Sequence, residues 1–183
     1  MKQITLAIIV VLTASTTVFG APQFPDKIIY KGTEYHLWTY PLEIYLKKYP
    51  YKRQEGLWLA VLVRGYQATF EIKNGQLYIK DIEILVNTIN TNKRKKDYND
   101  RIWESVLNKV FPNQELVKVD WFTGLLVLKH GEIIDYEAIY EGDKRVGYTS
   151  IHEYYILLEI DNGDIKTEKL LNYEEYKQFK EKQ

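Results

Sequence analysis

Two Asn-Gly pairs, each set between stretches of alternating apolar and polar residues, commit this chain to β-hairpins. A two-residue turn that matches the twist of its strands needs positive φ at both positions, and Asn and Gly tolerate it. Asn74-Gly75 therefore predicts a register. Ile72 faces Leu77 and Phe70 faces Ile79 on one side, while Glu71, Lys73, Gln76, Tyr78 and Lys80 share the other. Glu71 then sits diagonally from Lys80, as a surface ion pair. Asn162-Gly163 joins Ile151 to Ile160 with Ile165 to Leu170, placing Glu159 opposite Lys166. The segments Phe70 to Gly75 and Leu158 to Gly163 match closely. Duplication explains this, but the turn type alone demands Asn-Gly, which favours convergence.

Other hairpin signals follow. Ile28 to Leu37 reads as a hairpin about Gly32. Leu57 to Val63 is a continuous apolar run, expected as a strand buried on both faces. Val117 to Trp121, Leu125 to Lys129 and Glu132 to Tyr140 read as a meander. His130-Gly131 is its two-residue turn, pairing Leu128 with Ile133, and Glu141 to Gly147 is a charged loop.

Three helices are expected. The first begins at Pro41, where the missing N–H of proline costs nothing, and Pro50 ends it. Its face is Leu42, Tyr45, Leu46 and Tyr49. The second runs from about Asp100 to Val110, with Ile102, Trp103, Val106, Leu107 and Val110 as its buried stripe. The third starts at Asn172, which forms a capping box with Glu175. Together these elements predict one α+β domain over residues 21–183: a curved, mostly antiparallel sheet built from hairpins, with three helices on one face. Residues 21–27 read as an extended tail.

Ahead of that domain, residues 1–20 have the plan of a cleavable bacterial signal peptide. Lys2 gives the positive end, Ile4 to Ala14 the apolar segment, and Val18 and Gly20 the small residues of a cut before Ala21. The expected location is the periplasm or the outside of the cell, with no membrane span after cleavage. The chain has no cysteine, so it has no disulfide and no thiol chemistry. Without Lys2 the balance is 24 basic against 25 acidic residues, a net charge of −1, unlike the basic surface of a nucleic-acid binder.

No catalytic or cofactor motif stands out. His152-Glu153-Tyr154-Tyr155-Ile156 lacks the second histidine of a zinc-protease helix. Asp161 to Asp164 lacks the ligand spacing of a calcium loop. Ser150 near His152 has no G-x-S-x-G around it. The three histidines, His36, His130 and His152, lie on separate hairpins and imply no metal site, and no cofactor is expected. The binding candidates are Arg64, which ends an apolar run beside Tyr66; Tyr78 on the polar face of its hairpin; Trp121 and Phe122 at a turn; and the basic run Lys93, Arg94, Lys95 and Lys96 in a long polar connection. All 16 tyrosines fall after residue 20, and tyrosine covers large contact area with few rotatable bonds. The reading that results is an exported, non-enzymatic binding protein of the bacterial envelope. It takes a protein or a glycan, and an inhibitor or immunity-type protein is among the candidate roles. The alternatives are a small periplasmic hydrolase acting on glycan or peptide with carboxylates and an envelope assembly factor.

Overall fold

The structure is a computed structural model that describes residues 23–88 and 101–182. The segment expected to be a signal peptide, and Lys93, Arg94, Lys95 and Lys96, lie outside those residues. Among the described residues the chain is mostly sheet. Its strands are β1 (Asp26–Tyr30), β2 (Thr33–Leu37), β3 (Gln67–Lys73), β4 (Gln76–Asn87), β5 (Arg101–Ser105), β6 (Val117–Lys118), β7 (Gly124–Glu141), β8 (Lys144–Asp161) and β9 (Asp164–Asn172). The helices are α1 (Pro41–Lys48), α2 (Leu107–Val110) and α3 (Tyr173–Glu181). The order β2-β1-β3-β4-β9-β8-β7 makes one open sheet. Among the described strands only β1 and β3 pair in parallel. The fold is α+β, with sheet dominant.

The hairpin chemistry acts as the sequence implies. Lys31-Gly32, Asn74-Gly75 and Asn162-Gly163 all take positive φ at both turn positions. Phe70 pairs with Ile79 and Ile72 with Leu77. Lys80 Nζ stands 3.6 Å from Glu71 Oε2. The two Asn-Gly turns also dock on each other. Leu77 N–H donates to Gly163 O at 2.8 Å, and Ile165 N–H donates to Gly75 O at 2.8 Å. Gln76 opposite Asp164 is the one ladder pair that joins β4 to β9. Its side chain donates to Asp164 Oδ1, as does Lys118 Nζ, each at 2.8 Å.

One apolar core draws on both halves of the sheet. Ile28, Leu37, Phe70, Leu77 and Ile79 meet Leu126, Leu128, Leu158 and Ile160, with Leu42 and Leu46 of α1 and Leu107 and Val110 of α2. The end strands also approach one another, and Tyr35 Oη is hydrogen-bonded to His130 Nδ1 at 3.0 Å.

Six expectations are corrected. The helices do not share one face. Tyr155 and Leu157 alternate with the core residues Ile156 and Leu158 and so point to the opposite side, where the Tyr176 ring of α3 stacks on Tyr155 at 4.0 Å. All four of these β8 residues are buried, so the strand needs cover on both faces. The helix expected from Asp100 is strand β5 followed by the single turn α2. Arg101 to Ser105 pair with the far end of β4, leaving Ile102 and Trp103 exposed.

The Leu57 to Val63 run forms no strand, and only Leu62 is buried. Its backbone is held one bond at a time, Leu57 N–H to Leu85 O and Phe24 N–H to Val61 O, both at 2.7 Å. That second bond also fixes the supposed tail, and β1 begins at Asp26. His130-Gly131 is not a turn. Both residues lie inside β7, which continues past them with a bulge between His130 and Ile133. Gly131 takes φ 78° there, where a Cβ would fall 2.6 Å from Glu153 Oε2. The actual reversal is Gly142-Asp143 within the expected charged loop, with Glu141 opposite Lys144. Another bulge, between Glu159 and Ile160, moves Glu159 opposite Thr167 rather than Lys166.

Candidate functional site

The structure turns most of the sequence-derived binding candidates inward. Arg64 Nη1 donates to Asp26 Oδ1 at 2.9 Å, in a pair whose side chains are 11% and 0% exposed. The guanidinium lies on the Tyr40 ring, 3.7 Å from its centroid, and donates to Phe24 O. Burial raises the Asp26 carboxyl to about 6, against the pull of the Arg64 charge and the Ala68 N–H. Tyr66 is buried beside this pair, and burial raises its phenol too. Arg53 grips Glu43 with two bonds of 3.1 and 3.0 Å and donates to Arg64 O at 3.0 Å. These groups tie the 53–66 segment to β1 and α1. Trp121 Nε1 donates to Pro41 O at 3.0 Å, and its ring stacks on Phe111. Phe122 is in the core. Tyr78 is half-buried and donates to Gln76 Oε1 at 2.7 Å.

The surface free for contact lies elsewhere. Beyond Ile133, β7 and β8 leave the sheet as a two-stranded ribbon ending at Gly142-Asp143. Strand β9 stops opposite Tyr154, so no described strand borders the ribbon on that side. β7 is the last strand of the order, so no described strand is paired in a ladder with its outer edge either. No described side chain from Glu132 to Ser150 is buried. Ile133, Ile134, Tyr136, Ile139, Tyr140, and Tyr148 on the return strand, all stand exposed, Tyr136 at 61%. From Glu132 to Tyr140 the outer strand carries three carboxylates, Glu132, Asp135 and Glu137, and no cation.

A cavity of about 350 Å³ opens at the base of the ribbon, between it and β2. Glu34, His36, Trp38, Lys129, Ser150 and His152 are among its walls. The described residues hold no cluster of three or more metal-ligating side chains. No described helix is long and apolar enough to cross a membrane.

Sequence reasoning missed the ribbon because it cut it at His130-Gly131. The available signal was Gly142-Asp143, since Gly at the first position of a two-residue turn is itself a hairpin mark. Comparison of the chain with protein-family models, with curated proteins and with solved structures returns no match.

Proposed function

We propose that this protein is an exported binding protein of the bacterial envelope, and that the β7–β8 ribbon is its grip on a protein partner. The observation that carries this reading is the ribbon's exposure on both faces despite its isoleucines and tyrosines. An isolated two-stranded hairpin is marginally stable in water, and an open apolar edge strand invites another chain to pair with it. A chain that keeps such an arm is suited to lay it on a partner, by strand addition or by side-chain contact. The acidic outer strand favours a partner with basic and apolar residues. A second copy placed two-fold along the same edge brings like charges together.

The test is site-specific photo-crosslinking in the native envelope. A photo-reactive residue at Tyr136 or Tyr140 is expected to give one adduct of defined mass. The same group at Tyr51, which is 77% exposed but lies outside the ribbon, is expected to give none. No adduct at the ribbon, or the same adducts at all three positions, refutes the reading.

A further inference from the structure

The cavity at the base of the ribbon contains a chain of hydrogen bonds with a defined direction. Lys129 Nζ donates to Thr149 Oγ1 and Ser150 O, each at 2.7 Å, and to Ser150 Oγ at 3.2 Å. Ser150 Oγ lies 3.1 Å from His152 Nε2. His152 Nδ1 lies 3.2 Å from Gly131 O. A carbonyl oxygen only accepts, so Nδ1 carries the proton and Nε2 of the neutral ring is an acceptor. Lys129 fills one lone pair of Ser150 Oγ, which leaves the hydroxyl proton directed at Nε2. The order is therefore Lys129 to Ser150 to His152 to the Gly131 carbonyl.

Two local features hold this chain in place. Ser150 and His152 are two apart on one strand and share a face. The bulge at His130–Ile133 delivers the Gly131 carbonyl to the ring, and the Tyr155 hydroxyl accepts from His152 N–H at 3.2 Å, fixing the backbone. The bonding pattern is that of an activated nucleophile: hydroxyl, base, and a third group that orients the base.

We propose that Ser150 is a nucleophile and that this cavity hydrolyses small carboxylic esters. Trp38 and Tyr148, both about half exposed, give apolar walls for the acyl or alcohol group. Ser150 Oγ attacks the ester carbonyl carbon while its proton passes to His152 Nε2. The Lys129 ammonium, 3.2 Å from Oγ, stands beside the developing oxyanion. The carbon–oxygen bond to the alcohol breaks, and the alcohol leaves with the proton from Nε2. Water then attacks the acyl carbon and gives one proton to Nε2; the bond from that carbon to Oγ breaks, the carboxylic acid leaves, and Oγ takes the proton back from Nε2. The sum is ester plus water to acid plus alcohol. Burial lowers the Lys129 pKa, and the nearby Lys180 charge adds to this, but no step requires Lys129 to lose its proton. This proposal is independent of the ribbon's partner.

A biotinylated alkyl fluorophosphonate tests it on the whole protein, since Oγ attack on phosphorus expels fluoride and leaves a stable adduct. Peptide mass spectrometry is expected to place the label on Ser150. Ser150→Ala, which should melt at the wild-type temperature, is expected to abolish it. His152→Gln is expected to slow labelling about a hundredfold, the scale of a general base. Hydrolysis of p-nitrophenyl acetate should fall in parallel in both variants. Label on another residue, no label, or equal rates in the wild type, His152→Gln and urea-unfolded protein overturns the proposal.

Discussion

Replacing Asp26 by Asn separates two views of the buried pair with Arg64. On the common view the ion pair holds the fold together, and losing one charge costs about 3–5 kcal/mol. The geometry argues otherwise. Asp26 Oδ1 accepts from Arg64 and from Ala68 N–H at 2.9 and 3.0 Å, but Oδ2 has no partner, and neither has Arg64 Nε. Desolvation therefore outweighs attraction, and the folded carboxyl titrates at about 6 against 3.8 for a free aspartate. That gap corresponds to about 3 kcal/mol.

The sign follows from proton counting. Below pH 3.8 both states hold the proton. Between 3.8 and 6 only the folded state holds it, so rising pH favours unfolding. Above 6 the whole contribution is gone. Asn mimics the neutral acid at every pH. D26N is expected to match the wild type at pH 4 and to exceed it by up to about 3 kcal/mol at pH 7. Urea unfolding followed by circular dichroism at pH 4, 5, 6 and 7 measures this. Subtracting the two curves removes the other titrating groups, including Asp164 and Glu168, whose carboxyls their lysine partners hold low. A D26N protein less stable than wild type at pH 7 by the cost of a broken buried pair would falsify the argument.

Gly163→Ala is expected to cost more than Gly75→Ala in thermal melts. Both turns carry the strain of positive φ, about 1–2 kcal/mol, but a Cβ at 163 also falls 2.6 Å from Val119 O, whereas 75 faces open space. Changing Lys93, Arg94, Lys95 and Lys96 together to Ser should leave stability within about 0.5 kcal/mol in urea titrations. N-terminal sequencing of the exported protein should begin at Ala21. A strong chelator should leave the melting temperature of the purified protein unchanged, and a loss that zinc or calcium restores points to a site among His36, His130 and His152 or at Asp161 to Asp164.

Local chemistry was legible in the sequence where it alone decides the structure. Asn74-Gly75 and Asn162-Gly163 set their turns, Pro41 opened α1, and Asn172 with Glu175 built the capping box, whose reciprocal bonds measure 2.9 and 3.0 Å. What failed depends on partners distant in sequence. Ile102 and Trp103 join Val106, Leu107 and Val110 in a helical spacing, but the free edge of β4 from Glu83 to Asn87 recruits Arg101 to Ser105 as a strand. Gly131 signals positive φ, which a bulge uses as readily as a turn. Arg64 announced a charge that needed pairing, and its partner Asp26 lies 38 residues away. Ser150 and His152 were visible as near neighbours in the sequence, but the expected strand began only at Ile151, whereas β8 starts at Lys144 and puts both on one strand. Lys129 was not linked to them, because its ladder partner is Tyr155 and only its side chain, alongside the bulge between His130 and Ile133, reaches Ser150.

The turn-on-turn joint also has a consequence for how the chain assembles. Each Asn-Gly hairpin is local and closes on the microsecond scale. The bonds between them, Leu77 to Gly163 and Ile165 to Gly75, each bridge about ninety residues, and β4 meets β9 through one ladder pair. Contacts of that span carry the loop-closure entropy that slows folding. The two half-sheets are thus expected to form early as separate units, with the docking of their turns as the late, rate-setting event. Gly163, pressed against Val119 where they meet, then controls the speed of folding as much as the stability of the product.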